Sequence, residues 1–160
     1  MRGTTLRAAR RGTAAGWIAA AAAGLGALLL AGCGGGGGSD DRRPTQELLV
    51  GTWRVARVQT AGQNMTCPGE IVYTEDGDEV SVACGANDTV TFFANGTFTG
   101  SSADPGAYSG TWQLNGNTLT FSVTTPSELA GTSVEQLSFS GDDTLISHLA
   151  DGTRTTFERQ

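Results

Sequence analysis

Gly110-Thr111-Trp112-Gln113-Leu114-Asn115-Gly116-Asn117-Thr118-Leu119-Thr120-Phe121-Ser122-Val123 is the stretch whose reading decides the fold. Trp112 and Leu114 alternate with Thr111 and Gln113, and Leu119, Phe121 and Val123 alternate with Thr118, Thr120 and Ser122. Successive side chains of an extended strand point to opposite faces, so each run has one apolar and one polar face. Asn115-Gly116 between them tolerates the positive φ angles of a tight turn and folds the runs into an antiparallel hairpin.

The same signature repeats outward in both directions. Runs rich in Val, Thr, Phe and Trp predict strands over 51–59, 69–75, 79–84, 88–94, 97–101, 107–114, 118–124, 133–140, 144–149 and 153–159. Asp76-Gly77, Asn95-Gly96 and Asp151-Gly152 mark further hairpin turns. Thr45-Gln46-Glu47-Leu48-Leu49 fits one helical turn, and nothing after it holds a helical period. Short turns between sequential strands imply an antiparallel meander, and a long meander removes its open edges by closing into a barrel. The expected fold is therefore all-β, an antiparallel up-and-down barrel. Parity assigns Trp53, Val55, Val90, Phe92, Phe98, Trp112, Leu114, Leu119, Phe121, Val123, Leu137, Phe139, Leu145, Leu149 and Phe157 to the inner face.

Cys67 ends the loop after the first strand and Cys84 ends the third, so they bracket one hairpin. Setting that hairpin aside leaves eight strands, the smallest common closed barrel. Residues 67–84 are thus expected to be an insertion pinched off at its base by a Cys67–Cys84 disulfide, which would contribute roughly 3 kcal/mol in the chain-entropy picture.

The N-terminal region has a different texture. Arg2, Arg7, Arg10 and Arg11 precede an apolar run from Ala14 to Ala31, and no acidic residue occurs before Asp40. Basic, then apolar, then small residues is the order of a secretory signal. Leu30-Ala31-Gly32-Cys33 resembles the bacterial lipobox, in which small residues admit a peptidase and the cysteine thiol takes a diacylglyceryl group. Residues 1–32 are accordingly expected to be a cleaved lipoprotein signal peptide. Ala14–Ala31 is just long enough to span a bilayer uncleaved, but the lipobox that ends it favours cleavage. Cys33 with Gly34 to Gly38 begins a flexible tether over 33–47, reaching on the order of 15–20 Å, and the domain occupies 48–160. Several acyl chains on Cys33, palmitate among them, would hold the protein to the membrane of the cell envelope. Gly34 is not an acidic retention residue, so the outer membrane is expected where the cell has two.

Four of the ten basic residues lie in the leader, which leaves six arginines against sixteen acidic residues and a net charge of −10. Six scattered arginines do not make the basic patch that a nucleic-acid partner requires, and the same balance disfavours an electrostatic grip on anionic lipid.

Gly51-Thr52-Trp53 after a short helical turn, Thr91-Phe92-Phe93-Ala94-Asn95-Gly96-Thr97-Phe98, and the 110–119 hairpin together resemble the lipocalin-like domains of many small bacterial lipoproteins. The resemblance covers most of 48–160. It implies a barrel closed at one end by an arginine lying across the Gly-x-Trp indole. Arg159 shares the parity of Phe157 and belongs beside Trp53, where a cation–π contact is worth roughly 0.5–2 kcal/mol. The resemblance also implies non-covalent binding of a small apolar ligand, framed here by Trp53, Phe92, Phe98, Trp112, Phe121 and Phe139.

Other chemistry is poorly supported. His148 is the only histidine, and Gly51-Thr52-Trp53-Arg54-Val55 lacks the further glycines of haem-binding barrels. No nucleophile elbow accompanies His148, so no catalytic residue is assigned. Glu75-Asp76-Gly77-Asp78-Glu79 lacks the ligand spacing of a calcium loop, and no metal or cofactor is expected. The alternatives to a ligand carrier are a protein-binding lipoprotein, such as an inhibitor of a secreted protease or lysozyme, and a structural barrel with no ligand. Phe93 and Ile146, of outward parity, keep the protein-partner reading open. The anchor is the sharpest of these expectations. In a bacterial host Cys33→Ser should accumulate as unprocessed precursor of higher mass, and normal maturation of that variant would refute the lipoprotein reading.

Overall fold

The structure is a computed structural model that describes Arg10–Arg11, Asp41–Arg42 and residues 44–160 except 76, 104 and 105. Cys33, the rest of the leader and tether, and Asp76 of the expected hairpin turn lie outside the described residues. Thr45 opens one turn of helix, α1 (Gln46–Leu49), because its hydroxyl accepts from the Leu48 amide at 3.2 Å. Eleven strands follow: β1 (Gly51–Thr60), β2 (Gln63–Thr66), β3 (Gly69–Glu75), β4 (Asp78–Cys84), β5 (Thr89–Phe92), β6 (Thr97–Ser101), β7 (Ala107–Asn115), β8 (Thr118–Thr125), β9 (Gly131–Ser140), β10 (Thr144–His148) and β11 (Arg154–Arg159).

Eight of them form one continuous sheet in the order β8-β7-β6-β5-β1-β11-β10-β9, and β8 also pairs with β9. The sheet is therefore a closed, fully antiparallel barrel, as the alternation and turn chemistry require. Chain ends meet within it, Trp53 of β1 standing opposite Arg159 of β11. The expected inward residues line the interior and are buried, except that Leu114 and Leu149 are half-buried near strand ends. Asp41–Arg42 pair with Ser140 and Phe139, beyond the point where β8 stops accompanying β9. Arg10–Arg11 pair in parallel with Val80 and Ser81 of β4.

Two departures from the sequence reading have physical causes. First, Val55 faces Phe157 and Arg57 faces Thr156, so Ala56 is an extra residue in β1. A bulge of this kind reverses the parity after it. Trp53 and Val55 point inward before the bulge, Val58 and Thr60 after it. The Ala56 carbonyl is left to accept from Cys67 N at 2.9 Å, and Val55 N donates to Asp88 O at 2.9 Å. Second, the segment expected to be a loop after the first strand contains β2, which pairs with β1 through Thr60–Gln63. The turn is Ala61-Gly62, with φ of 49° and 74°. Alanine is an uncommon residue at positive φ, so the turn carried no sequence signal.

Strands β3 and β4 form the inserted hairpin, which hydrogen-bonds outside the eight-strand ring. Cys67 and Cys84 are disulfide-bonded at its base, their Cα atoms 5.5 Å apart. Ile71 and both cysteines are buried in the same apolar cluster as the barrel residues, so the hairpin is packed onto the domain rather than projecting from it.

The end of the barrel next to α1 is sealed by Arg159. Its Cζ lies 4.2 Å from the Trp53 ring centroid. Nη1 donates to Val50 O at 3.1 Å, Nη2 to Leu48 O at 2.6 Å, and Nε to Asp142 O at 3.0 Å. Trp53 Nε1 in turn donates to Leu49 O at 2.8 Å. These bonds satisfy helix-end carbonyls that would otherwise lack donors. Gly51 makes room for the guanidinium: its φ is 140°, and a Cβ there would stand 2.6 Å from Arg159 Nη1. Arg159→Ala should lower the unfolding free energy by about 1–3 kcal/mol in urea denaturation, through the lost cation–π contact and the orphaned carbonyls. Arg159→Lys should recover only part of this, because an ammonium cannot reproduce the planar fork. An alanine variant of parental stability would show that the seal is not what holds this end.

Candidate functional site

The interior of the barrel has two chemically different halves. In the half toward α1, parity and register bring the large rings together. Phe92 stacks on Phe121 at 5.6 Å between centroids and meets Trp112 edge-on at 5.7 Å. Phe98 meets Phe121 at 5.3 Å and Phe92 at 6.3 Å. Trp53 and Phe139 form a separate edge-on pair at 5.8 Å. Each such pair adds about 0.5–1.5 kcal/mol beyond area burial. Both indole N–H groups are occupied, since Trp112 Nε1 donates to Thr97 O at 2.9 Å as Trp53 does to Leu49 O. The six residues expected to frame a ligand thus fall into a group of four and a pair. All six are buried against one another or the wall.

The other half is built from the end of β1, the starts of β5, β7, β9 and β11, and the end of β10. Its wall carries Val58, Val90 and Val123 together with polar groups: Ser133, Glu135, Ser147 and Thr155, all buried. Three neighbouring strands line them up. Ser147 of β10 stands opposite Thr155 of β11, and its hydroxyl donates to Glu135 Oε2 of β9. Thr155 stands opposite Val58, Ser133 opposite Phe121 and Glu135 opposite Leu119, so along β8 and β9 the polar positions run beside the aromatic layer. Glu135 is 2% exposed, and neither its Oε1 nor Thr155 Oγ1 has a hydrogen-bond partner among the described residues. An unsatisfied buried acceptor costs about 1–3 kcal/mol.

Tyr108 belongs to the same half. Its ring lies flat over Gly100, its cross-strand neighbour, where a Cβ would come within 2.1 Å of Cζ. Burial, then the nearby charges of Asp88 and Glu135, push its phenol well above the usual range, so it stays a neutral hydroxyl. Asp88 is held by the amides of Gly85 at 2.8 Å and Ala103 at 3.1 Å, which fastens two loops at this rim. Burial raises the Glu135 carboxyl to about 7, against a lesser opposing effect of the Ser147 hydrogen bond. No arginine or histidine forms a salt bridge with it among the described residues.

Sequence reasoning missed this polar wall although its signal was present. Glu135 shares parity with Leu137 and Phe139, Ser147 with Leu145, and Thr155 with Phe157. Reading parity only through apolar residues hid it. His148 is exposed, and among the described residues no three His, Cys, Asp or Glu side chains gather as a metal site. Phe93, of outward parity, is 42% exposed, whereas Ile146 is half-buried.

Residues 49–156 match the family model described as a lipocalin-like domain. The crystal structure of a lipocalin-like protein from Bacteroides uniformis superposes with a TM-score of 0.52 at 16% identity, over 71% of this chain and 99% of that one. An uncharacterized protein from Bacteroides eggerthii aligns at 12% identity over 70% of this chain and 99% of that one, with a TM-score of 0.49. A protein from Burkholderia xenovorans aligns at 16% identity over 82% and 99%, with a TM-score of 0.47. No curated protein matches the chain.

Because the folded carboxyl of Glu135 titrates near 7 rather than 4.5, the folded state holds a proton that the unfolded state has already released. Stability should be greatest below about pH 4.5 as far as this group is concerned, and fall by about 3 kcal/mol as pH rises through 7. Urea midpoints across that range should show the decline in the parent and a flatter profile in Glu135→Gln. Parallel profiles would mean that Glu135 is not buried as described.

Proposed function

The chain belongs to the family of lipocalin-like domains, and from that premise we propose that it is an exported, lipid-anchored binding protein that holds a small, mainly apolar molecule inside its barrel without covalent chemistry. The observation that carries this reading is the division of the interior. A packed aromatic layer forms the floor, while the half beyond it, into which the Tyr108 ring also packs, carries valines and buried polar oxygens without partners among the described residues. Six residues act here: Trp53, Phe92, Phe98, Trp112, Phe121 and Phe139 set the apolar floor, and Phe121 beside Ser133 is the ring adjoining the polar wall. Arg159 keeps the floor end shut, so a ligand enters at the rim from which the disulfide-bonded hairpin departs.

Cys33 anchors the protein through its acyl chains, and the tether leaves the barrel free to turn at the surface of the cell envelope. The Cys67–Cys84 disulfide supports a location outside the reducing cytoplasm. A protein partner is the second reading, favoured by the exposure of Val72, Phe93 and Val134.

The mature chain contains two tryptophans, Trp53 and Trp112, both inside the barrel, so indole emission reports on the interior. Residues 33–160 bearing Cys33→Ser, secreted through a non-lipoprotein leader, should transfer excitation saturably to the neutral fluorophore N-phenyl-1-naphthylamine. Phe121→Ala should change that affinity severalfold. Linear, unsaturable uptake of the probe would dismiss the ligand-carrier reading and leave the protein-partner reading in front.

A further inference from the structure

Resting on the ligand-carrier reading, we propose that the polar wall centred on Glu135 recognises the protonated amino group of the ligand, so that the cargo class is an amphipathic amine. Four observations converge. The carboxyl is 2% exposed on the inner face of β9, and one of its oxygens lacks a donor among the described residues. Its only hydrogen bond among the described residues comes from the Ser147 hydroxyl, which occupies the other oxygen. Thr155 Oγ1, fully buried and without a hydrogen-bond partner among the described residues, stands two strands from Glu135, opposite Ser147, as a second acceptor on the same wall. No basic side chain forms a salt bridge with Glu135 among the described residues. An ammonium carries three donors and no acceptor, which matches a wall of free oxygens better than a hydroxyl or a carboxylate does. Charge favours the same class: the mature chain carries six arginines against sixteen acidic residues, a field that draws cations toward the rim and repels anions.

The apolar part of such a ligand lies against Val58, Val90 and Val123, with Phe121 beneath it. The head group reaches Oε1 of Glu135 by displacing the side chains that now cover it, and the ion pair it forms is charge-assisted and shielded from water. Because the free carboxyl titrates near 7, the amine binds best above that pH. Other titratable groups facing this half are Tyr108, which stays neutral, and Asp88, which is engaged by two backbone amides. On the outer face, His148 of β10 stands opposite Arg154 of β11.

Displacement of N-phenyl-1-naphthylamine from the secreted mature chain by n-decylamine, n-decanol and decanoate tests the proposal. At pH 8.5 decylamine should compete at least tenfold more strongly than decanol, and decanoate should compete least. Lowering the pH to 5.5 should weaken decylamine about thirtyfold, from protonation of one carboxyl, and leave decanol unchanged. Glu135→Gln, with its fold checked by circular dichroism, should abolish both the preference and its pH dependence. Decanol binding as tightly as decylamine, or a preference that survives Glu135→Gln, would overturn the amine assignment while leaving the ligand-carrier reading intact. The pH arm in the parent protein decides the matter alone if the variant does not fold. Failure of all three compounds to compete overturns both.

Discussion

Closing a sheet on itself requires that the first and last strands find each other, and in this chain the guanidinium of Arg159 does much to make that meeting definite. It lies over the Trp53 ring and reaches three backbone carbonyls, two of them from the segment at the end of α1. Short connections bring most other neighbouring pairs together locally, and β5 meets β1 across the inserted segment. The β1–β11 pairing alone joins residues about a hundred positions apart, so it bears the largest loop-closure entropy. A glycine at 51 is part of the same arrangement, since any side chain there would occupy the guanidinium's space. The Gly-x-Trp motif is thereby explained as a fit to an arginine at the opposite end of the chain.

With that end fixed, the register around the barrel determines what faces inward. Phe92, Phe98, Trp112 and Phe121 come from four consecutive strands of the sheet and fall at one level, where they fill the interior. On the β9 side that level is completed by the buried hydroxyl of Ser133, opposite Phe121. Toward the other end the inward strand positions include valines, hydroxyls, the Tyr108 ring and the Glu135 carboxyl, and among the described residues those polar groups satisfy one another incompletely. The site and the core are thus successive layers of one packing problem.

Much of this was legible in the sequence, because alternation and turn chemistry are local. The eight-strand count and the inserted hairpin with its cysteines follow from local alternation and turns, while the meeting of Arg159 with Trp53 follows from closing the barrel together with the lipocalin-like resemblance. What escaped has a common cause in non-local structure. The extra residue at Ala56 is imposed by the partner strand, and it turns Val58 and Thr60 inward against the pattern of β1. Strand β2 is held by pairing with β1 across a turn whose alanine gives no local sign. The inward placement of Glu135 ran against its chemistry: a carboxylate in an alternating strand reads as solvent-facing, and only the parity of Leu137 and Phe139 says otherwise.

The inserted hairpin leaves the barrel and returns to it through two cysteines whose Cα atoms are 5.5 Å apart. Seen from the barrel, the seventeen-residue separation between them collapses to one covalent link spanning 5.5 Å, about the reach of a tight turn. Whatever lies between the cysteines can therefore lengthen, shorten or change character without altering the distance that β1 and β5 must bridge. Evolution, or an engineer, can vary the segment at the rim while the eight-strand frame stays as it is, provided the position of Ile71, which packs into the common cluster, stays apolar.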